Sequence, residues 1–159
     1  MRKSNKAKNE KGAALVELAI GLTVFLTVMF GLIEFSRALW THNALTNAAR
    51  KGARYATLQC MPGDVKCSTS GTADARIKNV VVYGTDSPAT GAMPVVNDLT
   101  TANVNLQYSN YGLGKGTVSV SITGYQFKFL LPLLPKTISM PSYSTTLVGE
   151  NVGLIPADM

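Results

Sequence analysis

From Ala13 to Ile33 the chain is apolar or small at nearly every position, and Glu17 is the single charge in those 21 residues. As an α-helix this stretch is about 31 Å long, close to the thickness of a bilayer core. Beyond Glu34 the pattern changes from apolar all round to one-sided. Leu39, Leu45, Ala49, Ala53 and Ala56 recur at mixed three-, four- and six-residue spacings among Arg37, Arg50, Lys51 and Arg54. That is the face of a helix that packs under a folded domain. No proline interrupts the run before Met61-Pro62-Gly63. One helix of about 45 residues is therefore expected from near Ala13 to about Leu58, roughly 65–70 Å long. The first eleven residues are polar and basic without apolar periodicity, and read as an extended tail.

Residues 59–72 form a loop rich in Pro, Gly, Ser and Thr. Residues 73–83 carry two signals. Thr72 as a cap, Asp74 in a first turn and Gly84 at the end describe a short helix. The run Val80-Val81-Val82 describes a strand. The sequence leans to helix and leaves the choice open. Residues 84–101 read as a second loop, with Pro88, Gly91 and Pro94. The last third alternates. Val104, Leu106 and Tyr108 interleave with Asn and Gln, and Val118, Val120 and Ile122 with Thr and Ser. A Gly-rich link at 109–116 joins the two runs as a hairpin, so the pairing is antiparallel. At Gly124 the apolar positions move from even to odd numbers, to Tyr125, Phe127 and Phe129, the phase slip of a β-bulge. Residues 137–148 read as a final strand bent near Pro141. The fold class is α+β: a long N-terminal transmembrane helix running into a small antiparallel-sheet domain.

Charge sets the direction of the chain across the membrane. Of the net +6, the first eleven residues supply +4, five cations (Arg2, Lys3, Lys6, Lys8, Lys11) against Glu10. A basic cluster abutting an apolar span places the N-terminus in the cytoplasm. The rest lacks the basic stripe with interleaved aromatics of a nucleic-acid binder, so nucleic acid is not expected as a partner. The expected organisation is a leader at 1–12, a span at 13–33, an amphipathic extension at 34–58, and an extracytoplasmic domain at 59–159. On that side of the membrane disulfides persist. Cys60 and Cys67 flank Pro62-Gly63-Asp64, a turn that lets them meet. A bridge there contributes about 2–3 kcal/mol in the chain-entropy model. Their spacing matches neither a C-x-x-C redox pair nor a zinc site. Leu130, Leu131, Leu133 and Leu134, interleaved with Pro132 and Pro135, form neither a regular helix nor a central strand. They read either as a loop folded onto the domain's own helix or as a patch for a neighbouring subunit or the membrane surface.

Candidate chemistry is sparse. His42 is the one histidine, on a helix without a nearby acid or cysteine, and reads as a solvated or lightly buried side chain. No nucleophile–base pair, metal-ligand spacing, Walker A or dinucleotide motif is present, so neither catalytic residues, a metal site nor a cofactor is expected. Glu17 stands apart, because a carboxylate in a membrane helix costs about 2.5–3.5 kcal/mol at mid-depth and less near the surface. It either reaches water from one turn inside the cytoplasmic face or has a partner. A cut after Gly12, where the missing side chain gives a peptidase access to the backbone, exposes the amine of Ala13. Glu17 then becomes the fifth residue, and on stacked helices it can meet the amine of a neighbour and set the axial register.

The motif Lys11-Gly12-Ala13-Ala14-Leu15-Val16-Glu17 resembles the prepilin cleavage motif of type IV-like pilins. The continuation through Gly31-Leu32-Ile33-Glu34-Phe35-Ser36-Arg37-Ala38-Leu39-Trp40-Thr41, and the stretch from Asn43 to Ala56, resemble the TadE-like family of the tight-adherence (Flp/Tad) pilus apparatus more specifically. The resemblance covers residues 11–56. It implies cleavage after Gly12 by a prepilin peptidase facing the cytoplasm, and a role in assembly for Glu17. It also implies a periplasmic C-terminal domain on a single-pass bacterial inner-membrane protein. The partners implied are other pilins or pseudopilins and the inner-membrane assembly platform, in a pilus used for adhesion. Two positions depart from the family pattern. Leu18 stands where an aromatic is usual, and residues 20–26 lack a proline common in the apolar segment, which favours a straight helix. The expected function is that of a minor pilin or pseudopilin. The alternatives are an uncleaved membrane-anchored binding domain and a pseudopilin of a type II-like secretion system, with a membrane-tethered enzyme the weakest.

Overall fold

The computed structural model describes residues 4–58, 70–109, 117–130 and 136–148. Its dominant element is α1, Ser4–Leu58, an unbroken helix of 55 residues. The C-terminal end of the helix agrees with the sequence reading. The N-terminal end does not, because the leader from Ser4 onward is helical and not an extended tail. Lys, Glu and Ala in the leader are good helix formers. Adding turns to an existing helix avoids the cost of nucleating one. The helix is long and apolar enough to cross a membrane, and its most apolar window is wholly unburied by the rest of the chain.

From Glu34 onward one side of α1 is covered. Glu34, Thr41, Leu45, Ala48, Ala49, Gly52, Ala53 and Ala56 are buried, with Ala38 half-buried between them. The steps of three and four residues keep these positions on one face. Leu39, expected in this stripe, is 49% exposed and lies outside it. The small residues let a second helix approach closely. This is α2, Ser70–Tyr83. It starts two residues before Thr72, so Thr72 lies within the helix and is not its cap. Ile77, Val80, Val81 and Val82 are buried, and their burial overrides the strand preference of the valine run. Gly84 ends α2 in a left-handed conformation, φ 76°, its N–H donating to the Val80 carbonyl at 3.0 Å. This is the usual glycine termination of a helix.

Gly52 marks the tightest contact between the helices. A Cβ on Gly52 would clash with Cγ2 of Val81, a fully buried β-branched side chain that is stiff at χ1. Gly52→Ala therefore gains about 1 kcal/mol of helix propensity against an overpacking cost of about 1–3 kcal/mol. The expected outcome is a lower thermal midpoint for the full chain in detergent micelles, read by circular dichroism. A raised midpoint would show that the helix pair can part without cost.

The sheet lies over both helices. The strands are β1 (Val104–Ser109), β2 (Thr117–Ile122), β3 (Gln126–Lys128), β4 (Thr137–Ser139) and β5 (Tyr143–Val148). A three-stranded antiparallel sheet has the order β1-β2-β5, and β3 and β4 pair separately. Val118, Val120 and Ile122 of the central strand are fully buried and face the helices, while Thr117, Ser119 and Ser121 face outward. Two sequence expectations change here. The phase slip at Gly124 is not a bulge. Ile122 pairs with Tyr143 and Gln126 with Ser139, so each strand has three residues between the pairs and neither carries an extra one. The register runs on unbroken, with the Met140 N–H donating to the Tyr125 carbonyl at 3.0 Å. The ribbon instead kinks at Gly124, φ 70°, and turns Tyr125 and Phe127 into the core. For the same reason residues 137–148 are not one bent strand. They form two strands, β4 and β5, in separate sheets on either side of Pro141.

Candidate functional site

The sequence directs attention to the N-terminal end of α1. Gly12, Ala13 and Glu17 all lie on an uninterrupted stretch of helix and are exposed. A Cβ on Gly12 would meet nothing within 4 Å. Ala13 and Glu17 are four residues apart, so they sit one above the other on one face. None of the ion pairs among the described residues involves Glu17. The acid at the other end of the apolar run behaves differently. Glu34 is 4% exposed, and its partners lie near and far. Arg37, one turn on, donates to Oε2 through Nη2 at 2.8 Å and Nε at 3.2 Å. The backbone N–H of Leu130 donates to Oε1 at 3.0 Å. Arg37 also donates to the Lys128 carbonyl, and its guanidinium lies 4.2 Å from the centre of the Phe127 ring. Phe127 in turn meets Phe129 edge-on at 5.1 Å.

These contacts form a clasp. The clasp ties the end of β3 and the residues after it to α1 at Glu34 and Arg37. Both lone-pair regions of the Glu34 carboxylate have donors, as a charge buried this deeply requires. Arg37 spreads its donors over a carboxylate and a carbonyl while stacking on an aromatic face, which lysine cannot do. Two further ties fix the domain on the helix. His42, read as a solvated or lightly buried side chain, has Nδ1 2.9 Å from the Tyr143 hydroxyl and meets that ring edge-on. Burial holds the Tyr143 phenol above its ordinary value. On the far side Asp86 accepts from Arg76 at 2.6 Å and from Tyr55 at 3.1 Å, joining α1, α2 and the loop between α2 and β1. Those hydrogen bonds, that from Arg76 foremost, hold the Asp86 carboxyl below its usual range.

Among the described residues Glu17 thus takes part in no ion pair, while Glu34 is committed to the chain's own domain. Of the candidate patch, Leu130 is 79% exposed. Leu131, Leu133 and Leu134 lie outside the described residues, as do Cys60 and Cys67. The Glu34–Leu130 contact joins residues 96 apart, and no local motif announces it. The signal available in the sequence is a Glu and an Arg one turn apart, at the end of an apolar run. An open groove of about 400 Å³ between the helices is lined by Trp40, Asn43, Asn47, Lys51 and Val95 among others. The Lys51 ammonium there already donates to the Gly84 carbonyl at 3.0 Å, so the groove offers no convergent acid–base group.

No curated protein and no solved structure matched the chain. One family model did, that of the TadE-like protein, over residues 12–54. The match begins at the glycine of the cleavage-like motif and ends within the covered half of α1, spanning 43 of the 159 residues. It is a pilus structural family and not an enzymatic one. Through that segment, the apolar helix with its acid and its covered extension, the chain is similar to TadE-like proteins.

Proposed function

We propose that the chain is a minor pilin or pseudopilin of a tight-adherence pilus, anchored through α1 and assembled through it. In this reading the basic leader stays in the cytoplasm, and the α+β domain stands on the opposite side of the inner membrane. A prepilin peptidase cuts after Gly12. The released helix then stacks against other pilins on the assembly platform, in a fibre used for adhesion. One observation carries the proposal: the TadE-like match falls on a helix whose Glu17 takes part in no ion pair among the described residues. The helical leader adds a requirement. A peptidase takes an extended backbone, so the helix must open around the scissile bond. Glycine is the residue that weakens a helix most after proline, and a Cβ built on Gly12 would meet nothing within 4 Å outside the helix's own backbone.

The test is to remove the prepilin peptidase from the producing cell. Sheared surface fibres from the parent strain should contain the chain, and fibres from the peptidase-less strain should not. The membrane fraction of that strain should retain the chain. An uncleaved anchored binding domain would behave identically in both strains and stay in the membrane. That outcome would overturn the proposal.

A further inference from the structure

We propose that the end of the C-terminal domain nearest the span is seated in the bilayer, with Leu130 and Phe35 among lipid and Trp40 at headgroup level. This rests on the membrane-anchored reading above and goes beyond it, because it moves the water boundary past Ile33 and brings the domain into contact with lipid. Three observations carry it. First, the outward face of α1 does not turn polar at Glu34. Phe35 is 62% exposed and Trp40 61% exposed, with Leu32 and Leu39 exposed on the same stretch. Only beyond Trp40 do amides and then Arg50, Lys51 and Arg54 follow.

Second, the two charges that end the apolar run do not face outward as free charges. Glu34 is buried, and its carboxylate is neutralised by Arg37 and by the Leu130 N–H. The stretch from Ala13 to Trp40, where Glu17 is the one charge in no ion pair among the described residues, is about 42 Å long as a helix, the thickness of a bilayer including its headgroup regions. A single tryptophan at its far end suits the interfacial belt.

Third, the clasp fixes a level. The Leu130 nitrogen is 3.0 Å from Oε1 of Glu34. Glu34 lies six residues before Trp40, about 9 Å nearer the middle of the span. With Trp40 among the headgroups, the exposed Leu130 side chain lies below them. Lys136, whose carbonyl accepts from the Phe129 N–H at 3.1 Å, is exposed close by as a cation for headgroup phosphates. Continuity with the span favours lipid over a neighbouring subunit as the occupant of this face.

The experiment uses the full chain in phosphatidylcholine–phosphatidylglycerol vesicles whose acyl chains are brominated, with Trp40→Phe as background. Leu130→Trp makes residue 130 the only tryptophan, and Phe25→Trp does the same for the middle of the span. Both original side chains are exposed, so the fold should persist, and an unchanged thermal midpoint checks this. The expected result is blue-shifted emission from both, quenched at least twofold by brominated lipid. Quenching at residue 25 without quenching at residue 130 would overturn the inference and leave the anchor intact. This holds whether residue 130 then emits as in water or is shielded by a neighbouring subunit, the latter recognised by a blue shift lost on dilution into excess lipid. Absence of quenching at residue 25 would overturn the anchored reading itself, and the inference with it.

Discussion

Glu17→Ala is expected to insert into the membrane as well as the parent and to fall at least tenfold in sheared fibres. Within a single chain Glu17 is exposed and takes part in no ion pair among the described residues, so its removal costs the monomer nothing. Insertion becomes easier if anything, because a membrane-depth carboxylate carries a penalty of up to about 2.5–3.5 kcal/mol. Any loss must therefore come from contacts between subunits. Two unit charges about 4 Å apart attract by about 4 kcal/mol at the effective dielectric of a partly shielded site. A tenfold loss needs only about 1.4 kcal/mol of that. Glu17→Gln should be as defective as alanine, because the charge and not the shape is at issue. Membrane content by immunoblot and fibre content after shearing separate the two steps. Fibres with parental amounts of the alanine variant would show that Glu17 has no part in register.

Glu34→Ala is expected to have the largest effect on the fold. Alanine leaves Arg37 without its carboxylate and the Leu130 N–H without its acceptor. A buried pair broken on one side costs about 3–5 kcal/mol when the orphaned charge is sealed in. Arg37 is 35% exposed and can turn towards water, so the expected loss is smaller, about 2–3 kcal/mol, in line with charge-assisted hydrogen bonds. For a domain of this size that lowers the thermal midpoint by about 10–20 °C. Glu34→Gln keeps an acceptor for Leu130 and should fall between alanine and the parent. A midpoint for the alanine variant within about 2 °C of the parent would show that the clasp contributes nothing to holding the domain on its helix. Glu17 and Glu34 thus answer to different assays, Glu17 to assembly and Glu34 to stability.

The reasons for this division were only partly visible in the sequence. Where a pattern repeats locally, it survived folding. The alternation at 118, 120 and 122 became the central strand, and Leu45, Ala49, Ala53 and Ala56 became the covered face of α1. The failures share a cause, which is that distant contacts decided the outcome. Leu39 has the right type and spacing for the stripe, but the helix turns it outward. At 80–82 the lean to helix agrees with α2, where packing against Gly52 and its neighbours outweighs the strand preference of the three valines. The phase change at Gly124 looks the same in one dimension whether the chain bulges or kinks. Only the pairing partner on the returning strand, with its equal residue count, distinguishes them. The Glu34 clasp was the least legible feature. A charge after an apolar run reads as the membrane boundary, and nothing nearby in sequence reveals that the Leu130 N–H comes to bind Glu34 or that Arg37 stacks on Phe127.

The N-terminal motif was legible for the opposite reason. Leader charge, glycine, small residue and acid are adjacent in the chain, and their meaning does not depend on how the domain folds. It depends on another molecule. The intact mass of the chain recovered from sheared fibres therefore tests the central claim most directly. The result expected is a chain that begins at Ala13 and lacks the basic leader, with a free terminal amine able to pair with a neighbouring Glu17. Fibre-borne chain that still begins at Met1 would contradict it, because the positive end-group that Glu17 is proposed to meet would not exist.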